Sequence, residues 1–448
     1  PDISFVSPTP GNGTTTSNIS FTANVSIFAY NLSEIKWGFN NTNFTLYNDS
    51  LVLMYNFDNL SALGENDSHI FDASLSKNNG TGSEGVRWSL TGKYGGAFTF
   101  DGLNDFILSN VGFGNQDAPF TLISWAIFNN TDGGHILSLS HSTDNFGIVL
   151  QGNVSYCGNI GLQNLRGPIV DQNIYFHLAC VYNGSNLILY FNGIRNNSVP
   201  LTFLGFDNSQ LKIGGPQFPN TYWNGSIDQV QIWNRSFTDS EVYQLYASNL
   251  YKYNATQWYL YVNQSKNTSD ALDHGNYTYF VSAKNTTNWE NLTDIRTINI
   301  NKLPSIIFAT PANNTNTTDT SLDVNFTITS TNALSSCWYS NDSYLVNITF
   351  ACGQNITNVT WSEAKHNVTV YTNDSTSSLA QKTIVFTVDT SNPNITLLVP
   401  DDGAGYTANS QTINFGYNAS DNQNIANCSL TVNAVVNLTN SSINKSVF

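Results

Sequence analysis

The chain has 448 residues, too many for one small domain, and its 40% hydrophobic and 13% aromatic content supplies packed cores, which excludes wholesale disorder. Only 10% of residues are charged, with a net charge of −15, which argues against nucleic acid as a partner. No run of about 18 apolar residues occurs, so no membrane-spanning helix is expected. The chain begins at Pro1 with neither Met nor a signal peptide, and reads as a mature product or an excised segment.

Residues 1–48 read as strands of a sandwich. Over 18–27, Ile19, Phe21, Val25 and Ile27 alternate with Asn18, Ser20, Thr22, Asn24 and Ser26. The polar positions carry a second pattern. The chain holds 65 Asn, of which 37 begin Asn-x-Ser/Thr with x not Pro. Its 92 Ser and Thr placed at random give roughly 13 such matches. Abundant Asn alone does not explain the hydroxyl two residues on; N-glycosylation does. A strand puts acceptor and hydroxyl on one outward face and the middle residue inward, as in Asn24-Val-Ser, Asn43-Phe-Thr, Asn347-Ile-Thr, Asn367-Val-Thr and Asn394-Ile-Thr. Asn18, Asn31, Asn183, Asn224, Asn234, Asn276, Asn325, Asn355 and Asn418 are further expected acceptors.

Two strands and an aromatic segment ending at Tyr47 do not complete a sandwich. Strand-like runs at 258–262, 275–283 and 295–300 supply the remainder. The expected first domain is therefore discontinuous, 1–48 plus 251–302, with 49–250 inserted at a loop where two ends lie close. The insert opens on an apolar strand at 51–57. It continues through strands at 97–107, 120–128 and 135–140, and a meander punctuated by Asn183-Gly184 and Asn192-Gly193. A helix is expected over 239–247, started by the capping box Thr238-Asp-Ser-Glu241 and striped by Val242, Leu245 and Tyr246.

The insert carries Gly92-Lys-Tyr-Gly-Gly-Ala-Phe-Thr-Phe-Asp-Gly102 with Asp105, then Phe-His-Leu-Ala-Cys-Val-Tyr-Asn-Gly184, Leu-Tyr-Phe-Asn-Gly193 and Gly-Ser-Ile-Asp228-Gln-Val-Gln-Ile-Trp-Asn-Arg235. In that order these resemble the laminin-G-like, concanavalin-A-like jelly roll, over about 51–248. The resemblance implies two antiparallel sheets face to face and a carbohydrate-binding or adhesive role. It also implies one structural Ca²⁺, with Asp228 as the matching ligand and Asp101 and Asp58 as further candidates. The bland alternative is that these Asp cap turns. Aromatic platforms for sugar are Trp125, Tyr156, Tyr222 and Trp223, against the alternative that aromatics of a sandwich are core.

Residues 303–390 show regular short strands and turn clusters, an immunoglobulin-like sandwich. Cys337-Trp-Tyr-Ser and Tyr371-Thr-Asn-Asp make it similar to the tandem immunoglobulin-like repeats of archaeal surface proteins. Residues 391–448 repeat its first half as a partial third copy. Cys157 with Cys180, and Cys337 with Cys352, suit local disulfides in an oxidising compartment, buried free thiols being the alternative; Cys428 is left over.

Hydrolytic relatives of the jelly roll carry Glu-x-Asp-x-x-Glu on one strand. Here the nearest fragment, Glu65-Asn-Asp67, has Ile70 at the third position beyond Asp67. No His-x-x-x-His and no phosphate loop occur. The expectation is an all-β, non-enzymatic, heavily N-glycosylated protein of the cell surface, structural or adhesive. Its partners are other copies of itself, other surface proteins, and glycans. The alternative is a carbohydrate-binding module of a secreted glycan-degrading system.

Overall fold

The structure is a computed structural model. It describes all residues except 84, 112–117, 130–131, 142–143, 160–162, 202–209, 218–220, 265–270, 343–345, 408–411, 424 and 441–448. Its chain divides into two compact units, 1–302 and 303–448.

Alternating apolar residues make the strands of the first sandwich, and the pairing joins both ends of the first unit. Asp2–Val6, Phe21–Phe28, Gln257–Val262 and Ser248–Lys252 form one antiparallel sheet. The facing sheet runs Thr14–Thr16, Arg296–Ile300, Gly275–Asn285, Leu32–Phe39 and Thr42–Tyr47. Its first pair is parallel and the rest antiparallel. Phe21, Trp37 and Tyr279 fill the space between.

Between Tyr47 and Ser248 lies a second sandwich of two eight-stranded sheets. The central strand of one, Asn224–Trp233, is flanked by Phe120–Phe128 and by Ala97–Asp101 and Leu51–Tyr55. Phe57, Phe98, Phe128, Leu178, Trp223 and Ile232 pack in its core. The disulfide Cys157–Cys180, with Cα atoms 5.8 Å apart, ties Val154–Asn159 of one sheet to Phe176–Tyr182 of the other. The helix Asp239–Ala247 has its capping box in place: Glu241 N donates to Thr238 Oγ1, and Thr238 N to Glu241 Oε2 at 2.9 Å. Helix residues Val242 and Leu245, the outer strand residues Ile123, Val181 and Trp233, and the first sandwich's Trp258 and Tyr279 belong to one continuous apolar cluster. The two sandwiches thus share a core, which is why 1–302 is one unit.

In the second unit, Ser305–Thr310 pairs with Asn325–Thr329. A five-stranded sheet runs Thr315–Thr317, Leu379–Val388, Ala364–Asp374, Leu334–Asn341 and Ile348–Phe350. Its first pair is again parallel, so its order repeats that of the first sandwich. Cys337 is bonded to Cys352. Two hairpins follow, Asn394–Val399 with Gly416–Ser420 and Cys428–Val432 with Val435–Asn440. Ile395, Leu397 and Val399 on the first are exposed. No helix among the described residues is long and apolar enough to cross a membrane.

Candidate functional site

Asp228 sits in the middle of Asn224–Trp233, opposite Trp125. It is buried, and its Oδ2 accepts the Tyr94 amide at 2.9 Å, while Oδ1 has no partner among the described residues. Asp58 follows Leu51–Tyr55, and its Oδ1 accepts the Gly96 amide at 3.2 Å. Burial pushes the Asp58 carboxyl up to about 7, with the Glu65 carboxylate adding to the rise. Burial also raises Asp228 well above the usual range, and the Asp58 charge raises it further. One loop, 91–96, cradles both acids. Gly95 has φ +69°, and a Cβ there would lie 2.2 Å from Asp58 Oδ1; a Cβ on Gly96 would lie 2.2 Å from the Trp88 indole nitrogen. The Gly-Gly pair of the sequence motif is therefore a steric requirement of this cradle.

Beside Asp58 opens a cleft of about 340 Å³ between the two sandwiches of the first unit. The inserted sandwich supplies Asp58, Leu60, Trp88, Leu90, Tyr94, Gly95 and Gly96; the first sandwich supplies Thr22, Asn249, Tyr251, Tyr253 and Tyr261. Strand alternation sets the second group. Asn249 lies opposite Tyr261, and Tyr251 opposite Tyr259, so one sheet face presents them together. Tyr94 and Tyr261 rings are 5.4 Å apart, and Tyr251 and Tyr259 stack at 5.2 Å. Asn249 is buried, and its Nδ2 has no hydrogen-bond partner among the described residues. Among the described residues, the lining contains no Lys, Arg or His.

Several residues expected from the sequence lie elsewhere. Trp125 and Trp223 are buried and cannot be sugar platforms. Trp125 is enclosed by His177, Tyr246 and the Lys93 ammonium, 4.4 Å above its ring; Trp223 packs on Phe128 and Phe176. Tyr156 and Tyr222 are half-buried and outside the cleft. His177 packs as a core residue, and burial pushes its imidazole down to about 3. Asp101 does not join the acids. It faces Asn224, four residues along the strand from Asp228, a separation of roughly 13 Å. Its Oδ1 caps a turn through Leu103 N at 2.8 Å, as the bland alternative holds.

Among the expected glycan acceptors, Asn24 is a correction. It is 1% exposed and its Nδ2 donates to Ser7 O at 2.8 Å, because the turn after the first strand folds over that face. Asn18, Asn31, Asn43, Asn183, Asn234, Asn276, Asn347, Asn355, Asn394 and Asn418 are exposed, and Asn224, Asn325 and Asn367 half-buried. Acceptors in turns differ from the strand picture. In Asn183-Gly-Ser, Asn Oδ1 accepts the Ser185 amide at 3.1 Å, as Asx turns do.

The fit to a hard cation rests on the orphaned Asp228 Oδ1 beside Asp58. These two can serve as its carboxylate ligands, and Asp101 cannot. Among the described residues no group of three or more His, Cys, Asp or Glu is placed to hold a metal ion. The aromatic lining escaped sequence reasoning because Tyr251, Tyr253 and Tyr261 belong to the other sandwich. The alternation of 251–253 and 259–261 was the available signal.

Residues 100–243 match the laminin-G family described as the concanavalin A-like lectin/glucanases superfamily. The inserted sandwich is laminin-G-like. No curated protein matches the chain in sequence. Among solved structures, domain 4 of AbnA, an extracellular arabinanase from Geobacillus stearothermophilus in complex with arabinotriose, is 17% identical. That match covers 43% of this chain and 96% of that one, with a TM-score of 0.35. Trypanosoma rangeli sialidase is 14% identical, covering 44% of this chain and 32% of its own, with a TM-score of 0.36. The binding domain of Paraclostridial Mosquitocidal Protein 1 is 14% identical, covering 72% and 75%, with a TM-score of 0.37. The matched segment holds Asp101 and Asp228, whereas the loop 91–96, Asp58 and every other residue lining the cleft lie outside it.

Proposed function

We propose that this protein is an extracellular, N-glycosylated structural or adhesive component of a cell surface. The observation that carries this reading is the placement of its acceptors: ten of the fourteen Asn singled out above are exposed, on strands and turns of both units. Glycans hydrate a surface whose residues are only 10% charged and shield strand edges from pairing with other chains. Intact mass of the native protein tests it. A mass heavier than the bare 49.3 kDa polypeptide by many glycans is expected, and a mass matching the polypeptide sinks the reading.

A bound Ca²⁺ is the second element. The ion would neutralise Asp58 and Asp228 where burial opposes their charge, and so brace the loop 91–96. With EGTA the melting temperature of the first unit is expected to fall, and an Asp228→Asn variant to ignore EGTA. An unchanged melting curve in the parent removes calcium from the account.

A further inference from the structure

We propose that the cleft between the two sandwiches is a saccharide site, and that its occupant is the first sugar of a glycan carried by Asn59 of the same chain. The proposal rests on the N-glycosylation reading above.

The chemistry of the walls selects the ligand class. Asp58 offers an acceptor and the buried Asn249 Nδ2 an unpartnered donor. A hydroxyl both donates and accepts and so satisfies the two together. A cation braced between Asp58 and Asp228 still leaves the Asn249 donor unpartnered, and an anion meets a carboxylate with no base among the described residues of the lining. Tyr94, Tyr251 and Tyr261 line the cleft, and aromatic rings suit the apolar C–H face of a pyranose. At about 340 Å³ the cleft is at the small end of the roughly 300–1,000 Å³ typical of small-molecule sites, the right scale for one or two sugar rings.

Position selects the source. Asn59 begins the acceptor sequence Asn59-Leu-Ser61, and the residues on either side of it, Asp58 and Leu60, both line the cleft. Its backbone turns there with φ +52°, and its side chain is half-exposed with no hydrogen bond among the described residues. By contrast, the Nδ2 of Asn24 is held by a backbone carbonyl. Asn59 itself does not line the cleft, so a sugar linked to it starts beside the cleft, tethered at high effective concentration.

The test uses the full chain made through a secretory, N-glycosylating route. Glycopeptide mass spectrometry reads Asn59 occupancy, and melting is compared for Ser61→Ala, which removes the acceptor sequence, and Ser185→Ala, which does the same for Asn183 on an exposed turn. Loss of the Asn59 glycan is expected to lower the first unit's melting temperature by about 3 °C, with no shift for Ser185→Ala. Tyr253→Ser changes a cleft residue that is 41% exposed, so the fold tolerates it. It should lower melting in the glycosylated chain and add nothing to Ser61→Ala. Asn59 unoccupied while other acceptors are occupied overturns the proposal and leaves the glycosylation reading standing; no acceptor occupied overturns both. Equal shifts for the two serine variants also overturn it. So does binding of free glucose, galactose, mannose or N-acetylglucosamine, read by Trp88 fluorescence, that is the same with and without Ser61→Ala; that result assigns the cleft to a foreign sugar.

Discussion

Gly96 shows what a single missing Cβ does in this protein. The Trp88 indole nitrogen donates to Phe57 O at 2.8 Å, directly across the space a Cβ on residue 96 would take. Gly96→Ala must displace that bond and the loop that holds Asp58 and Asp228. A destabilisation of roughly 1–3 kcal/mol is expected, measured as a lower denaturant midpoint of the first unit. Asp58 gives the residue-scale pH dependence. Its carboxyl titrates near 4 in an unfolded chain and at about 7 here. Between those values the folded state binds a proton that the unfolded state lacks, so stability falls as pH rises from about 4 to about 7 and levels off above. Asp58→Asn should flatten that slope in metal-free buffer. An identical slope in parent and variant would falsify the assignment of Asp58 as its source.

At the scale of elements, the helix Asp239–Ala247 was legible from its capping box, and its role was not. Tyr246 stacks on Trp125 at 5.3 Å and would touch any Cβ placed on Gly193, so the helix roofs the outer face of the sheet that carries Asp228. Thr238→Ala removes an acceptor from the Glu241 amide, and a loss of about 1 kcal/mol is expected by thermal melting. The strands of the inserted sandwich were equally legible, because alternation and Asn-Gly turns are local signals. The aromatic cleft was not. Trp125 and Trp223 look like sugar platforms in sequence, since an aromatic on a strand does not announce which sheet face is covered. The covering here comes from the helix, from Lys93 and from the opposite sheet.

At the scale of the molecule, the pairing of Phe21–Phe28 with Gln257–Val262 closes the first sandwich across more than two hundred residues of insert. The shared apolar cluster then makes insert and sandwich one body. Limited trypsin digestion should therefore cut after the half-exposed Lys302 and release 1–302 and 303–448, while 1–48 and 251–302 stay together with the insert. Recovery of the insert as an isolated fragment, with the flanking segments degraded, would contradict a shared core.

Sequence by itself determined the all-β class, the laminin-G-like insert, the capped helix and the excess of acceptor Asn. Each of these is written in residues close together along the chain, through period, turn chemistry or a fixed spacing. Only the tertiary structure decided that one loop holds both Asp58 and Asp228 while Asp101 stands apart, that Asn24 is covered, and that tyrosines of one sandwich wall a cleft with a glycine loop of the other. The acid pair and the cleft depend on packing between segments 150 or more residues apart, and the cover over Asn24 on a turn 17 residues away. Local periodicity gives each face its composition but not its neighbour.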